Sequence, residues 1–182
     1  MKKIILLTLI AFTTAVNAQK YAATPAGLAD ATDATKPFLV IQAEGKTAQQ
    51  MYDFAINFID KNYKVPAETI KSKNGTDLLT YETVAPDFMY FTNGTKIFVT
   101  ATYTTELKFK DGKAKFEIIK LEMHTTADKK PVTFTGESFD WSIFNPKGVI
   151  KKETAKADLE KYFNAQVALV ASYLQGKVDD KW

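Results

Sequence analysis

Cysteine is absent from this sequence. No disulfide can brace the fold and no thiolate can act as nucleophile or zinc ligand, so stability must come from a packed core. Arginine is absent too, which removes the planar fork that reads phosphates, carboxylates and base edges through paired hydrogen bonds. His124 is the single histidine, so a histidine-based metal cluster is excluded and a Ser-His-Asp site would have to be built around it. Glycines are few and never cluster into a phosphate-cradling loop. No apolar run approaches the roughly 20 residues that cross a bilayer as a helix, so no transmembrane span is expected. Together these absences argue against nucleic acid as a partner, and no motif for a cofactor or a metal is present.

What is there begins with a secretory signal. Met1-Lys2-Lys3 is basic, Ile4 to Phe12 is apolar, and Val16-Asn17-Ala18 places small residues at both cleavage-recognition positions before Gln19. Residues 1–18 are therefore expected to be removed, with cleavage after Ala18 and export to the periplasm or beyond. No cysteine follows the apolar block, so lipid anchoring at that point is excluded. About 160 residues then remain, the size of one domain with a core of its own. With Lys2 and Lys3 gone, lysines and acids nearly cancel, leaving no strong field of either sign.

Residues 19–36 are rich in Ala, Thr, Asp, Pro and Gly without a period, which predicts a disordered leader. A single domain is expected over residues 37–176, with an insert at 125–152 and a tail at 177–182. Phe38-Leu39-Val40-Ile41 reads as a short strand. Thr47-Ala48-Gln49-Gln50 is a capping box, and Met51, Tyr52, Ala55, Phe58 and Ile59 form the apolar stripe of a helix ending near Asn62. Strand-like pieces follow at 69–73, 76–84 and 88–91, with Asn74-Gly75 and Asn93-Gly94 as turns. Both turns also match the N-glycosylation pattern, which a turn followed by a β-branched threonine explains equally well.

The stretch 96–124 is a long hairpin. Ile97, Val99, Ala101, Tyr103, Leu107 and Phe109 alternate, and Asp111-Gly112 supplies the two positive φ values of a tight turn. Pairing across it sets Phe109 against Ala114, Leu107 against Phe116 and Thr105 against Ile118. Glu106 then opposes Glu117 and Lys108 opposes Lys115, a clash that diagonal ion pairs between the strands are expected to offset. Asn145-Pro146-Lys147-Gly148 reads as a type I turn. A final helix runs from about Glu153 to Gln175 on a stripe that includes Leu159, Phe163, Val167, Val170 and Leu174, stopped by Gly176.

Thr47-Ala48-Gln49-Gln50-Met51-Tyr52 with its helix, and the run from Thr102 through Tyr103, Leu107 and Phe109 to Lys110-Asp111-Gly112-Lys113 with its return strand, resemble the domain-of-unknown-function family 4468. The resemblance spans roughly residues 38–123. It departs after the Asp-Gly turn, where this chain has Lys113 and Lys115 in place of the arginine common in that family. That family has a TBP-like fold and occurs on exported proteins of Bacteroidetes-type bacteria. The resemblance implies an α+β fold, β-α-β-β-β-β-α, with a curved antiparallel sheet and both helices on one face. The five strands would be ordered 1-5-4-3-2. It brings no function, and the fold name carries no implication of DNA binding.

No reaction is named by the residues. His124 sits at a strand end with no nucleophile or acid at a recognisable spacing, and Asp179-Asp180 lacks the several oxygens that a Ca²⁺ loop gathers. What stands out is aromatic: Tyr90 and Phe91, then Phe139, Trp141 and Phe144. These five are the candidate surface for a ligand or partner. Alternatively, the insert that carries the last three covers the sheet face left free by the helices. The function expected is a non-catalytic binding or envelope-associated protein, its partner an envelope protein or a small apolar ligand. An exported enzyme with an unrecognised site is the alternative.

Overall fold

The computed structural model describes residues 19–137 and 141–178. Residues 1–18, expected from the sequence to be a signal peptide, lie outside the described residues, as do Phe139 and the Asp179-Asp180 pair. A hairpin of β1 (Tyr21–Thr24) and β2 (Gly27–Asp30) precedes β3 (Phe38–Gln42), α1 (Ala48–Asn62) and a single turn, α2 (Pro66–Thr69). Then come β4 (Ile70–Asn74), β5 (Leu78–Asn93), β6 (Thr95–Lys110), β7 (Lys113–Thr125), β8 (Pro131–Thr135), β9 (Ser142–Phe144) and α3 (Glu153–Leu174).

The main sheet is curved and unclosed, and its central order is β3-β7-β6-β5-β4. Numbered along the chain as five strands, that is the expected 1-5-4-3-2. The β6–β7 register places Phe109 opposite Ala114, Leu107 opposite Phe116 and Thr105 opposite Ile118, as a two-residue Asp111-Gly112 loop dictates. The turn is not the expected one with two positive φ values: Gly112 takes φ 79° and Asp111 stays out of the left-handed region, which a residue with a Cβ enters only at a cost. The charged face departs from expectation. Lys108 pairs with Glu106 at 2.8 Å and Lys115 with Glu117, each along its own strand and not across the diagonal. Side chains two residues apart on a strand share a face, so each lysine finds its acid without crossing a row of like charges.

Val99, Ala101, Tyr103, Leu107 and Phe109 of β6 are buried, and so are Leu79, Tyr81, Met89 and Phe91 of β5. Both long helices lie on this face: Tyr52 of α1 packs edge-on against Phe109 with ring centroids 6.0 Å apart, and Phe163 of α3 against Tyr103 at 5.1 Å. The capping box at Thr47 and Gln50 forms in both directions. Helix α3 closes in a Schellman motif: Lys177 N–H bonds Ser172 C=O at 2.9 Å and Gly176, at φ 67°, bonds Tyr173 C=O at 2.8 Å.

Three features differ from the sequence reading. Residues 19–36 are not a disordered leader. Tyr21 is 2 % exposed, its N–H is held by Asn164 Oδ1 at 2.8 Å, and Ala23 N–H by Glu160 Oε1 at 2.8 Å. The partners lie on α3, so no local period could reveal them. Second, the pieces at 76–84 and 88–91 are one strand, β5, interrupted by a bulge between Ala85 and Met89. Pro86 cannot donate to the ladder, and the bulge removes that demand. Third, the 125–152 insert does not cover the other face of the sheet. β8 joins the end of β7, and β9 runs parallel to β8. Val132, Ile143 and Phe144 enter the core on the helix side. The opposite face keeps Val84 at 62 % and Phe98 at 44 % exposure. No helix among the described residues is long and apolar enough to cross a membrane.

Candidate functional site

The five aromatics do not converge. Phe91 and Phe144 are 1 % and 3 % exposed, so they belong to the core and are withdrawn as surface residues. Alternation in a short strand does not state which of its two faces meets the helices. Phe139 lies outside the described residues. Tyr90 is half-buried on the open face, its ring 6.2 Å from that of Phe98 and under the ammonium of Lys96 at 4.4 Å. Trp141 is also half-buried, and its indole packs on Phe91 at 5.6 Å.

Trp141 forms one wall of a cleft of about 290 Å³, together with Lys96, Ile97, Phe98, Asp87 and the loop Thr126-Ala127-Asp128. Three further segments complete it. The β5 bulge carries Asp87, the start of β6 carries Lys96 to Phe98, and the β7–β8 turn carries Thr126 to Asp128. Asp87 holds a left-handed backbone at φ 51°, and Lys129 in the adjoining turn holds φ 55°. Residues other than glycine adopt that region at a cost, and Asp does so more readily than most.

Hydrogen bonds keep the bulge in place. Thr126 Oγ1 donates to Asp87 Oδ1 at 2.7 Å and lies 2.9 Å from Thr100 Oγ1. One hydroxyl has one proton, so Thr100 donates to Thr126 and Thr126 to the carboxylate. On the other side of the loop, Lys130 pairs with Asp128 at 3.0 Å and holds its carboxyl below the usual carboxylate range. The loop is closed by Thr125, whose N–H bonds Lys130 C=O at 2.8 Å and whose hydroxyl accepts from Lys130 N–H at 2.9 Å.

Sequence reasoning found Trp141 and Tyr90 and missed Asp87, Lys96, Phe98 and Thr126. Phe98 could have been found. The alternation that puts Ile97 and Val99 on one face puts Phe98 on the other, and a large aromatic there signals a contact surface. Pro86-Asp87 between two strand patterns was the local trace of the bulge.

A second groove, about 320 Å³, runs between β3 and α3 over Leu39, Ile41, Val167 and Ala171. Side-chain amides occupy its polar edge: Gln19 Oε1 accepts from Val40 N–H at 2.5 Å and Gln175 Nε2 donates to Gln42 C=O at 2.8 Å. These bonds protect an outer strand from pairing with another chain. His124, half-buried, has Lys129 Nζ at 3.4 Å from its Nε2.

No family model matches the chain, and no curated protein matches it. Solved structures do. A DUF4468 family protein from Bacteroides ovatus aligns over 80 % of this chain and 88 % of its own, with a TM-score of 0.56 and 14 % identity. A TBP-like protein from Parabacteroides distasonis aligns over 76 % of this chain and 90 % of its own, with a TM-score of 0.51 and 12 % identity. Both share the fold expected from the resemblance read in the sequence.

Proposed function

We propose that this protein is an exported, non-catalytic binding module whose ligand or partner seats in the Trp141 cleft. The observation that carries the reading is the position of Trp141. One side of the indole rests on Phe91, and the residue lines an open cleft beside an exposed Phe98. An aromatic fixed by the core on one side and wet on the other is a low-entropy anchor for a partner. Export is supported by Met1-Lys2-Lys3, the short apolar block and Val16-Asn17-Ala18.

Two measurements test the parts separately. Mass spectrometry of the protein from an envelope fraction is expected to find Gln19 as the first residue, and an intact Met1 there would end the export reading. Capture from the same fraction, run beside the Trp141→Ala variant, is expected to lose its specific partner while the variant stays folded. Capture that is unchanged by the substitution would end the binding reading for this cleft.

A further inference from the structure

From the chemistry of its walls, we infer that the Trp141 cleft recognises an alkylammonium group, an inference that rests on the binding reading above. The cleft combines two aromatic side chains, Trp141 and Phe98, with the apolar Ile97 and the carboxylate of Asp87. Aromatic faces attract cations through the ring quadrupole, and an adjacent carboxylate fixes the charged end while the apolar wall takes the alkyl stem. Ligand pockets run from about 300 to 1,000 Å³. At about 290 Å³ this one suits a small amine or a single side chain.

The charges around the site are arranged for this. Asp128 is already neutralised by Lys130 at 3.0 Å. Lys96 is the cation in the cleft wall, and its ammonium is turned over the Tyr90 ring at 4.4 Å. No ion pair joins Asp87 to a lysine among the described residues; its Oδ1 accepts from the Thr126 hydroxyl at 2.7 Å. The bulge at φ 51° therefore holds Asp87, its carboxylate bonded to a neutral hydroxyl, in the wall of the cleft that Trp141 and Phe98 also line. The Tyr90–Lys96 contact shows that the neighbouring aromatic surface already hosts an ammonium of this kind.

The source of the ammonium is either a free amine or a lysine side chain of another protein, and the test separates them. In a Trp182→Phe background the emission of Trp141 is followed during titration at constant ionic strength. The probes are n-butylammonium, n-butanol, butyrate and a short glycine-flanked peptide containing one lysine. The expected result is butylammonium binding at least tenfold tighter than butanol, with butyrate weakest. Asp87→Asn keeps an acceptor for Thr126 and a residue that tolerates positive φ, and it should remove at least tenfold of the butylammonium affinity while butanol is unaffected. A lysine peptide that binds tenfold tighter than butylammonium identifies a protein side chain as the ligand, and equal binding identifies a small amine; either outcome supports the inference. Butanol binding as tightly as butylammonium, or an undiminished Asp87→Asn, overturns it and leaves the binding reading standing. If none of the probes moves the emission, the alkylammonium assignment falls, and the envelope capture described above decides separately whether the cleft binds anything.

Discussion

Tyr21 donates its phenolic hydroxyl to the carbonyl of Phe116 at 3.1 Å, 95 residues further along the chain, and its ring lies 6.2 Å from that of Phe116. At the third residue past the expected cleavage point, the chain is therefore already part of the core. Tyr21→Phe should lose one hydrogen bond, about 1 kcal/mol, and Tyr21→Ala about 3–5 kcal/mol. Urea unfolding checks both. Equal, small losses would mean that the first hairpin packs on the domain without supporting it.

Alkaline pH should unfold the protein cooperatively. Burial pushes the phenols of Tyr21, Tyr63, Tyr81, Tyr103 and Tyr162 above their ordinary value of 10.0. The unfolded chain releases those protons near 10 and the folded chain does so later. Their contribution is thus complete below pH 10 and is lost progressively as pH rises through the folded values. Urea midpoints are expected to hold up to about pH 9 and fall beyond 10, with tyrosinate absorbance appearing together with the loss of structure. Tyrosinate that develops fully in a still-folded protein would contradict the burial argument.

Thr105 should be replaceable at no cost. It is fully buried beside the Tyr81 phenol, and its Oγ1 has no hydrogen-bond partner of good geometry. A buried hydroxyl left unpaired costs about 1–3 kcal/mol. Thr105→Val keeps the shape and should be neutral or stabilising by about 1 kcal/mol in thermal melts. A loss of stability would show that the neighbouring Tyr81 phenol serves the hydroxyl.

The α3 stripe should be steeply graded. Leu159 is fully buried, so Leu159→Ala should cost about 2–5 kcal/mol. Lys161 faces solvent, and Lys161→Ala should stay within about 0.5 kcal/mol. Denaturant midpoints measured side by side decide it, and similar values for the two would mean that α3 does not dock.

Trp141→Ala should be milder than a core deletion. A fully buried tryptophan would cost about 3–5 kcal/mol, whereas this half-buried one should cost about 1–2 kcal/mol for the apolar area it shares with Phe91. A loss in the higher range would place Trp141 with the core and remove it from the cleft's binding surface.

Elements specified by near neighbours were legible before the structure was. The α1 capping box needs residues three apart, the β6–β7 register follows from the two-residue Asp111-Gly112 turn, and the Gly176 stop is set by the helix it ends. The strand order was implied by the family resemblance: consecutive hairpins account for β4-β5-β6-β7, whereas the place of β3 beside β7 does not follow from them. The ion pairs of the hairpin were misjudged at the smallest scale. Alternation states which face a lysine shares, and the rotamer that chooses between its own strand and the next is settled only by the assembled sheet.

The amino-acid sequence by itself determined the export signal pattern, the two long helices and the antiparallel sheet, because each is written in a period, a cap or a turn within a few residues. Only the tertiary structure decided that residues 19–36 are ordered, since Asn164, Glu160 and Phe116 bind Tyr21 and Ala23 from far along the chain. It also decided which aromatics are surface. Phe91 and Trp141 read alike as residues, yet burial is a property of what closes over a side chain. Phe91 lies under the core, whereas Trp141 meets it from the rim of a cleft that three further segments complete.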